Sequence, residues 1–325
     1  MKKVAIGVDI GGTNTAIGVV DADGNVMVKS NITTPSHGDI NRYITELAEA
    51  IRELIKSVKL LNADIEILGI GVGAPNGNYY NGTIEYAPNL SFRGVIHFVA
   101  LLKEKFPELS AIALTNDANA AAIGEMIYGG AKGMKNFVMY TLGTGVGSGI
   151  VVDGNMVYGH DGFAGECGHS MLVPGGRLCG CGTKGHLEAY CSAPGMKRTA
   201  FEIMARDNAT NSLLADKSFN ELDSKMIFDA AEKGDKVALE VFEQTGKWLG
   251  QGLADTVHHT SPEAIFLFGG PTAAGSYIFK PTIESMNEHL LPIFKNKIKV
   301  LPSQLKAGDA AIVGASALVY KELEK

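Results

Sequence analysis

Two glycine-rich segments have the residue types of a phosphate-binding loop. They contain Gly11, Gly12, Thr13 and Asn14 in the first half, and Gly143, Thr144, Gly145 and Gly147 in the second. Glycine lets the backbone approach an anion closely with several N–H groups, and threonine hydroxyls are further donors. Each segment joins two β-branched stretches, a pattern of strand, tight turn and strand. Two such loops in matching places indicate a duplicated domain that holds a polyphosphate from both sides.

The acidic residue before the first loop predicts a divalent cation. Asp9 would repel a phosphate held by this loop unless a cation such as Mg²⁺ lay between them. Neither loop contains G-x-x-x-x-G-K-[ST], which excludes a Walker-type NTPase, and neither opens a helix as a dinucleotide fold requires. Gly269 and Gly270, after an apolar strand, are a third point of close approach, under an adenine or ribose. The alternative is that these are ordinary hairpin turns.

A loop at 160–192 contains a candidate zinc site. His169, Cys179, Cys181 and His186 have the composition and close spacing of a Cys₂His₂ site, and the intervening glycines permit tight turns. Sites with four protein ligands are usually structural, and this one would stabilise a long loop that has no core of its own. The alternative is a reduced, metal-free loop. Cys167 or Cys191 could also replace one of the four ligands, although Cys191 is expected to pack in a helix.

A second group of polar residues suits a sugar. Asn116 and Asp117 end an apolar strand and begin an alanine-rich helix, where they could be a helix cap or could face a ligand crevice. In the second interpretation Asp117 accepts a proton from an attacking hydroxyl. Carboxylates and amides suit vicinal hydroxyls, which donate and accept, and the remaining candidates are Asn89, Glu166, His169 and Glu188. If they are exposed, these residues are only solvated polar groups.

The elements that must position these residues occur in two similar series. Each series begins with a strand hairpin and continues with alternating helices and strands, which predicts two α/β domains with mixed sheets. The predicted strands are 3–9, 15–21, 25–34, 65–73, 111–116, 136–143, 147–153, 264–269 and 297–302. The predicted helices are 39–60, 95–106, 117–129, 195–207, 224–233, 235–260 and 308–323.

Length and composition restrict the class of protein. A chain of 325 residues that is 46% hydrophobic is long enough for two globular domains. The net charge of −6 gives no electrostatic reason to expect nucleic acid, and no apolar stretch has the length of a membrane span. The apolar run after Met1 is interrupted by Asp9, too early for a signal peptide. We therefore expect a cytoplasmic protein, whose clustered cysteines favour a metal over disulfides.

Over essentially its full length the chain resembles the ROK (repressor, open reading frame, kinase) sugar kinases of the actin-like ATPase superfamily. The resemblance is carried by Asp9–Thr13, Gly73–Pro75, Pro88–Leu90, Asn116–Asn119, Gly143–Gly147, Gly165–His169 and Cys179–Glu188. It implies two ribonuclease-H-like, actin-like lobes around a central cleft. It also implies that Asp117 is the catalytic base and that His169 is both a zinc ligand and a sugar ligand. The other sugar-binding residues it implies are Gly73, Asn89, Asn116, Glu166 and Glu188. The family's third cysteine in the loop is His186 here.

The resemblance implies ATP- and Mg²⁺-dependent phosphorylation of a hexose, with D-glucose converted to glucose 6-phosphate. N-acetylglucosamine, N-acetylmannosamine and fructose are the alternative substrates. A sugar-responsive repressor and an actin-like assembly protein are the alternatives from other classes, and the loop at residue 9 leaves no room for an N-terminal helix-turn-helix. The expected lobes are 1–117 with 306–325, and 118–305. We also expect a homo-oligomer, a dimer or tetramer, with no nucleic acid or membrane partner.

Overall fold

The chain forms two α/β units in a computed structural model that describes residues 1–36, 38–306 and 308–324. The first unit comprises Met1–Met134, Asn155–Ala164 and Ser303–Lys325, and the second Lys135–Gly154 and Gly165–Pro302. The strands are β1 (Lys2–Ile10), β2 (Asn14–Asp21), β3 (Val26–Thr33), β4 (Ile65–Gly73), β5 (Gly77–Asn78), β6 (Thr83–Glu85), β7 (Val95–Ile96), β8 (Ala111–Thr115), β9 (Phe137–Leu142), β10 (Val146–Val152), β11 (Asn155–Met156), β12 (Ala264–Phe268) and β13 (Lys299–Pro302). The helices are α1 (Ile40–Leu61), α2 (Phe98–Lys105), α3 (Asp117–Tyr128), α4 (Glu188–Cys191), α5 (Ala193–Asp207), α6 (Ser224–Glu232), α7 (Lys236–Thr260), α8 (Ser276–His289) and α9 (Ala310–Leu323).

The first unit is built on a mixed five-stranded sheet in the order β3-β2-β1-β4-β8. β1 pairs antiparallel with β2 and parallel with β4, which pairs parallel with β8. One stripe of α1, including Tyr43, Leu47 and Ile51, is fully buried in the core. The helix α9 packs on β1 and β4 so closely that a Cβ at Gly7 or Gly71 would lie 1.9 Å from a carbonyl oxygen of α9. Glycine in these strands therefore permits the close approach of α9.

The second unit repeats this strand arrangement. Four strands of its sheet lie in the order β10-β9-β12-β13, with β9 and β10 antiparallel and with β9, β12 and β13 parallel. This order matches β2-β1-β4-β8 strand for strand. Each glycine-rich segment is the turn between the antiparallel pair. The prediction of two α/β domains with mixed sheets is confirmed.

The main difference between the predicted and the observed helices is α8, which was not predicted. Pro281 lies inside α8, and proline in a helix interior removes a hydrogen bond and normally ends or kinks the helix. In the structure its ring packs where a Cβ at Gly246 of α7 would lie, 2.5 Å away. Close packing of α7 on α8 therefore accommodates the proline. The short strands β5, β6 and β7 were also not predicted.

The boundary predicted after residue 117 differs from the division seen in the structure. The first unit keeps α3 and extends to Met134, because α3 packs on α9 through Gly124 and Gly314. It also contains Asn155–Ala164, so the chain crosses between the units at 134/135, 154/155, 164/165 and 302/303. Among the described residues, we find no helix with both the length and the apolar character that crossing a bilayer requires.

Candidate active site and metal centre

In the first unit, the carboxyl ends of three parallel strands bring two carboxylates to one edge of the sheet. Asp9 lies near the end of β1, and Asp117 begins α3 directly after β8. Gly73, the last residue of β4, lies between them: a Cβ there would be 3.8 Å from Oδ1 of Asp9 and 3.7 Å from Cα of Asp117. Glycine at this position therefore leaves space beside both acidic residues. Ligands of open α/β sheets bind at this edge.

The surroundings of these two carboxylates disfavour their negative charge. Burial, and then the charge of Asp117, raises the pKa of Asp9 to about 6. The side chain of Asp117 is exposed to solvent, and desolvation by the protein packed around it raises its pKa, opposed by the bond from the Ala118 N–H. Carboxylate oxygens are the ligands that Mg²⁺ prefers, and a cation would relieve the repulsion between the pair. The donor set therefore fits a magnesium ion.

Asn116 and Asp117 both bind the start of α3. Oδ1 of Asn116 accepts from the Ala118 N–H at 2.9 Å, as expected of the N-cap residue. Oδ1 of Asp117 accepts from the same N–H at 2.8 Å. Both side chains therefore stabilise the start of α3, with Asn116 as the N-cap and Asp117 in the first helical turn.

The first glycine-rich loop lies beside Asn89. Its backbone closes on itself, since the Gly11 N–H donates to the Asn14 carbonyl at 3.0 Å. A Cβ at Gly12 would lie 2.7 Å from the Asn89 carbonyl oxygen, so only glycine fits there without a shift. Gly12, Thr13, Asn14 and Asn89 are exposed. The loop therefore presents backbone N–H and hydroxyl groups close to a predicted sugar-binding amide.

The second glycine-rich loop contacts a different predicted sugar ligand. The Val146 N–H donates to Oε2 of Glu188 at 3.1 Å, and a Cβ at Gly145 would lie 2.5 Å from the same oxygen. Thr144 is exposed, and Gly143 has open space where a Cβ would lie. Glu188 therefore lies directly against this loop.

The paired glycines after β12 also reach the second loop. Gly269 has φ +115°. Its α-carbon lies so close to the end of β9 that a Cβ would be 1.9 Å from the Leu142 carbonyl oxygen. Leu142 ends β9, directly before the loop. Gly269 is therefore required by both backbone conformation and close approach, while Gly270 is exposed.

The predicted metal ligands converge in the second unit. One ligand atom from each of His169, Cys179, Cys181 and His186 lies within 4.8 Å of the other three. Sγ of Cys181 is 3.2 Å from Nδ1 of His186, and Sγ of Cys179 is 3.8 Å from Nδ1 of His169. Two thiols and two imidazoles are a donor set that suits tetrahedral Zn²⁺. The residues present therefore fit the predicted ion.

The other two thiols have different environments. Cys191 is fully buried, with Sγ 3.7 Å from the Thr245 carbonyl oxygen. The backbone of Cys167 is held by Ser148, whose hydroxyl accepts from the Cys167 N–H at 3.1 Å and donates to the Gly165 carbonyl. Neither thiol belongs to the four-residue cluster. Ser148 was not anticipated from the sequence, since a lone serine in a strand carries no signal.

Glu188 connects the metal centre to the second glycine-rich loop. Sγ of Cys179 donates to Oε1 of Glu188 at 3.2 Å, while Oε2 accepts from the loop. Burial and the bond to this carboxylate raise the pKa of the Cys179 thiol to about 12, so metal binding there must displace a proton. Oε2 of Glu166 lies 4.0 Å from Nε2 of His169. The loop at 160–192, called the metal loop below, therefore carries all three predicted sugar-binding residues of the second unit.

Comparisons with known proteins agree with this arrangement. A model of the ROK family matches residues 5–322. Glucokinase from Thermotoga maritima is 32% identical over 324 residues, covering 99% of each chain. The crystal structure of a ROK family glucokinase from Streptomyces griseus, in complex with glucose and AMPPNP, has a TM-score of 0.80 and 32% identity, covering 98% of this chain and 99% of that one.

A regulator is similar to this chain in sequence at lower identity. The xylose repressor of Bacillus spizizenii is 26% identical over 98% of this chain, but this match covers 77% of the repressor. The fold alone therefore does not separate kinases from repressors, and the residues of the site must do so. The resemblance to sugar kinases is confirmed by the family match and by full-length relatives above 30% identity, and the chain belongs to the ROK family.

Proposed function

We propose that this protein is an ATP- and Mg²⁺-dependent glucokinase, which transfers the γ-phosphoryl group of ATP to O6 of D-glucose. The observation that carries this proposal is the partly desolvated carboxylate of Asp117 beside Asp9, at the ligand-binding edge of the first sheet. A general base works best when its pKa is near the working pH, and desolvation moves the pKa of Asp117 in that direction. Asp117 would accept the proton of the sugar O6 hydroxyl as that oxygen attacks.

The phosphates are assigned to the two glycine-rich loops. Backbone N–H groups and threonine hydroxyls within Gly11–Thr13 and Gly143–Gly147 would bind them, with Gly269 and Gly270 beside the nucleoside. The N–H groups of Gly11, Gly143 and Val146 are excepted, because they donate within the protein. Asp9 would hold Mg²⁺, directly or through water, and the ion supplies neutralisation of the phosphate charge when bound. Phosphoryl transfer needs positioning and charge stabilisation more than covalent help from the protein, which fits loops that offer donors but no nucleophile.

The sugar is assigned to a set of acidic, amide and imidazole side chains. In the second unit these are Glu166, His169 and Glu188, all on the loop that His169, Cys179, Cys181 and His186 would fix through Zn²⁺. In the first unit they are Asn89, Asn116 and Asp117. Polar groups of these types suit a ligand with a hydroxyl on nearly every carbon, since a polar group left buried and unpaired costs about 1–3 kcal/mol.

The choice of glucose is supported by relatives. The Thermotoga relative is a glucokinase, and the Streptomyces griseus structure holds glucose with an ATP analogue. Purified protein should therefore be assayed with ATP and Mg²⁺ on glucose, fructose, N-acetylglucosamine and N-acetylmannosamine, with kcat/KM compared. We expect glucose to be preferred. A preference of about tenfold or more for another sugar, about 1.4 kcal/mol, overturns the glucose assignment but leaves the kinase assignment intact.

Two further parts of the proposal concern the setting of the reaction. The cysteines of the chain are free thiols, which is consistent with a reducing compartment, and we assign the reaction to the cytoplasm. We also propose that the protein is a homo-oligomer. Analytical ultracentrifugation at several protein concentrations tests this, with a single monomeric species as the contrary result.

A further inference from the structure

A buried arginine holds the metal loop in place at a point outside the metal cluster. Arg177 lies two residues before Cys179, and its side chain is only 10% exposed. Its guanidinium donates to the carbonyls of Ala189 and Gly195 at 3.4 and 3.3 Å, and to Oγ1 of Thr199 at 3.1 Å. Glu202 accepts two further bonds from Nε and from a terminal nitrogen. The five donors of the guanidinium are therefore distributed over α4 and α5.

The same guanidinium lies over two aromatic rings. Its central carbon is 4.7 Å from the centroid of Tyr190 and 4.9 Å from that of Trp248, and the two rings are 4.8 Å apart. The Tyr190 hydroxyl also accepts from the Arg177 backbone N–H at 2.8 Å. The hydroxyl can approach because residue 176 is glycine, where a Cβ would lie 2.0 Å from it. Cation–π contact of this kind is strongest when the cation is desolvated, as it is here.

These contacts join the two chain segments that place Glu188. Ala189 and Tyr190 follow Glu188 in α4, so Arg177 holds the backbone of the helix that Glu188 begins. On the other side, Arg177 is two residues from Cys179, whose Sγ donates to Glu188. The four metal ligands hold together the part of the loop that begins at Cys179. Arg177 attaches the part just before Cys179 to α4, α5 and α7. The metal ligands and Arg177 therefore restrain the Glu188 carboxylate at two separate points.

We infer that Arg177 is a positioning residue, which sets the place of Glu188 through α4 independently of metal binding. This inference rests on the proposed function, in which Glu188 binds the sugar. Lysine cannot replace arginine in this role, because an ammonium is a point charge that neither stacks on two rings nor donates in a planar fork. Arg177→Lys should therefore displace Glu188 while keeping the positive charge.

The test compares glucose binding with zinc content in two arginine variants. Arg177→Lys is the test, and Arg206→Lys is the matched control, because Arg206 lies on α5 in exposed ion pairs with Asp207 and Glu240. We expect Arg177→Lys to raise the Kd for glucose about tenfold in calorimetry. The Kd for AMPPNP should rise by a smaller factor, since Glu188 also accepts from the Val146 N–H of the second glycine-rich loop. Bound zinc, measured by elemental analysis, should stay at the parent level. The control should match the parent in all three.

The only tryptophan of the chain supplies a spectroscopic readout. Trp248 contacts the guanidinium, so its emission should change in Arg177→Lys and stay unchanged in the control. An altered emission with parental glucose affinity overturns the inference, because the anchor would then be disturbed without consequence for the sugar. Loss of zinc together with glucose affinity also overturns it, because Arg177 would then act through the metal.

A milder variant covers the possibility that Arg177→Lys does not fold. Tyr190→Phe removes only the hydroxyl that accepts from the Arg177 N–H and keeps the ring under the guanidinium. It should weaken glucose binding by a smaller factor and keep zinc, and unchanged glucose affinity counts against the inference. If the parent phosphorylates no hexose, the proposed function fails, and hydrogen exchange of segment 186–192 decides the role of Arg177. Faster exchange in Arg177→Lys than in Arg206→Lys supports the role, and equal exchange refutes it.

Discussion

Replacing Asp117 with asparagine should change catalysis and stability in opposite directions. Asparagine keeps the size of the side chain and the Oδ1 atom that accepts from Ala118 at 2.8 Å, but it removes the negative charge. Loss of a general base typically lowers the rate by about 10²–10⁴-fold, and we expect kcat of Asp117→Asn to fall by this amount. Glucose binding should be largely retained, since the amide still donates and accepts.

The effect on stability follows from the direction of the pKa shifts. A raised pKa in the folded state means that folding favours the protonated form of Asp117, so its contribution to stability is present at low pH and lost as pH rises through the raised pKa. Removing the charge removes this loss. Asp9 benefits too: burial, and to a smaller extent the charge of Asp117, raises its pKa from 3.8 to about 6, and the variant removes the second of these causes. At neutral pH the variant should therefore have a Tm equal to or above that of the parent.

The assay measures initial rates of glucose 6-phosphate formation at saturating glucose and MgATP, together with thermal unfolding. Asn116→Ala is the matched comparison, because it removes the cap bond of 2.9 Å to Ala118 and should cost about 1 kcal/mol of stability. A kcat for Asp117→Asn within a few-fold of the parent would refute the role of Asp117 as base. A lowered Tm at neutral pH would refute the assignment of a desolvated, repelled carboxylate.

Three further outcomes follow from the geometry. Freshly purified protein should contain about one zinc ion per chain. Cys179→Ser should lose the metal and bind glucose more weakly. Parental glucose affinity in the zinc-free variant would show that sugar binding does not depend on the metal. Gly145→Ala should weaken glucose binding, because its Cβ would lie 2.5 Å from Oε2 of Glu188. Parental glucose affinity in this variant would contradict the arrangement. Below the pKa of Asp9, about 6, Mg²⁺ must displace a proton from this carboxyl group. The apparent affinity for Mg²⁺ should therefore fall as the pH drops below about 6. An affinity that does not depend on pH would show that Asp9 does not bind the ion.

The fold was predictable where the sequence pattern has a local cause. The hairpins around the two glycine-rich loops follow from alternating β-branched residues and turn residues, which act over a few positions. The helix α8 was missed because Pro281 is a local stop signal, and its tolerance depends on Gly246 of α7, far away in sequence. The packing of α3 on α9 through Gly124 and Gly314 is equally invisible locally, because the two helices are far apart in sequence.

The residues of the candidate site also divide into those with a local sequence signal and those without one. Cys179, Cys181 and His186 are close in sequence, and the pattern of metal-binding residue types was sufficient to anticipate that they converge with His169. Arg177 was not anticipated, because its partners Thr199 and Trp248 come from other helices and an arginine in a loop is usually exposed. The contact between Gly145 and Glu188 was equally hidden, since nothing local relates a turn glycine to a carboxylate in a later helix.

³¹P NMR of the reaction products shows whether ATP phosphorylates O6 of glucose at this site. The protein, ATP and Mg²⁺ would be incubated with glucose or with 6-deoxyglucose, which lacks the attacking hydroxyl. We predict equal amounts of ADP and glucose 6-phosphate from glucose, and no phosphorylated sugar from 6-deoxyglucose. ATP consumed without a phosphorylated sugar, or a phosphate carried at another position, would refute phosphorylation of glucose at O6.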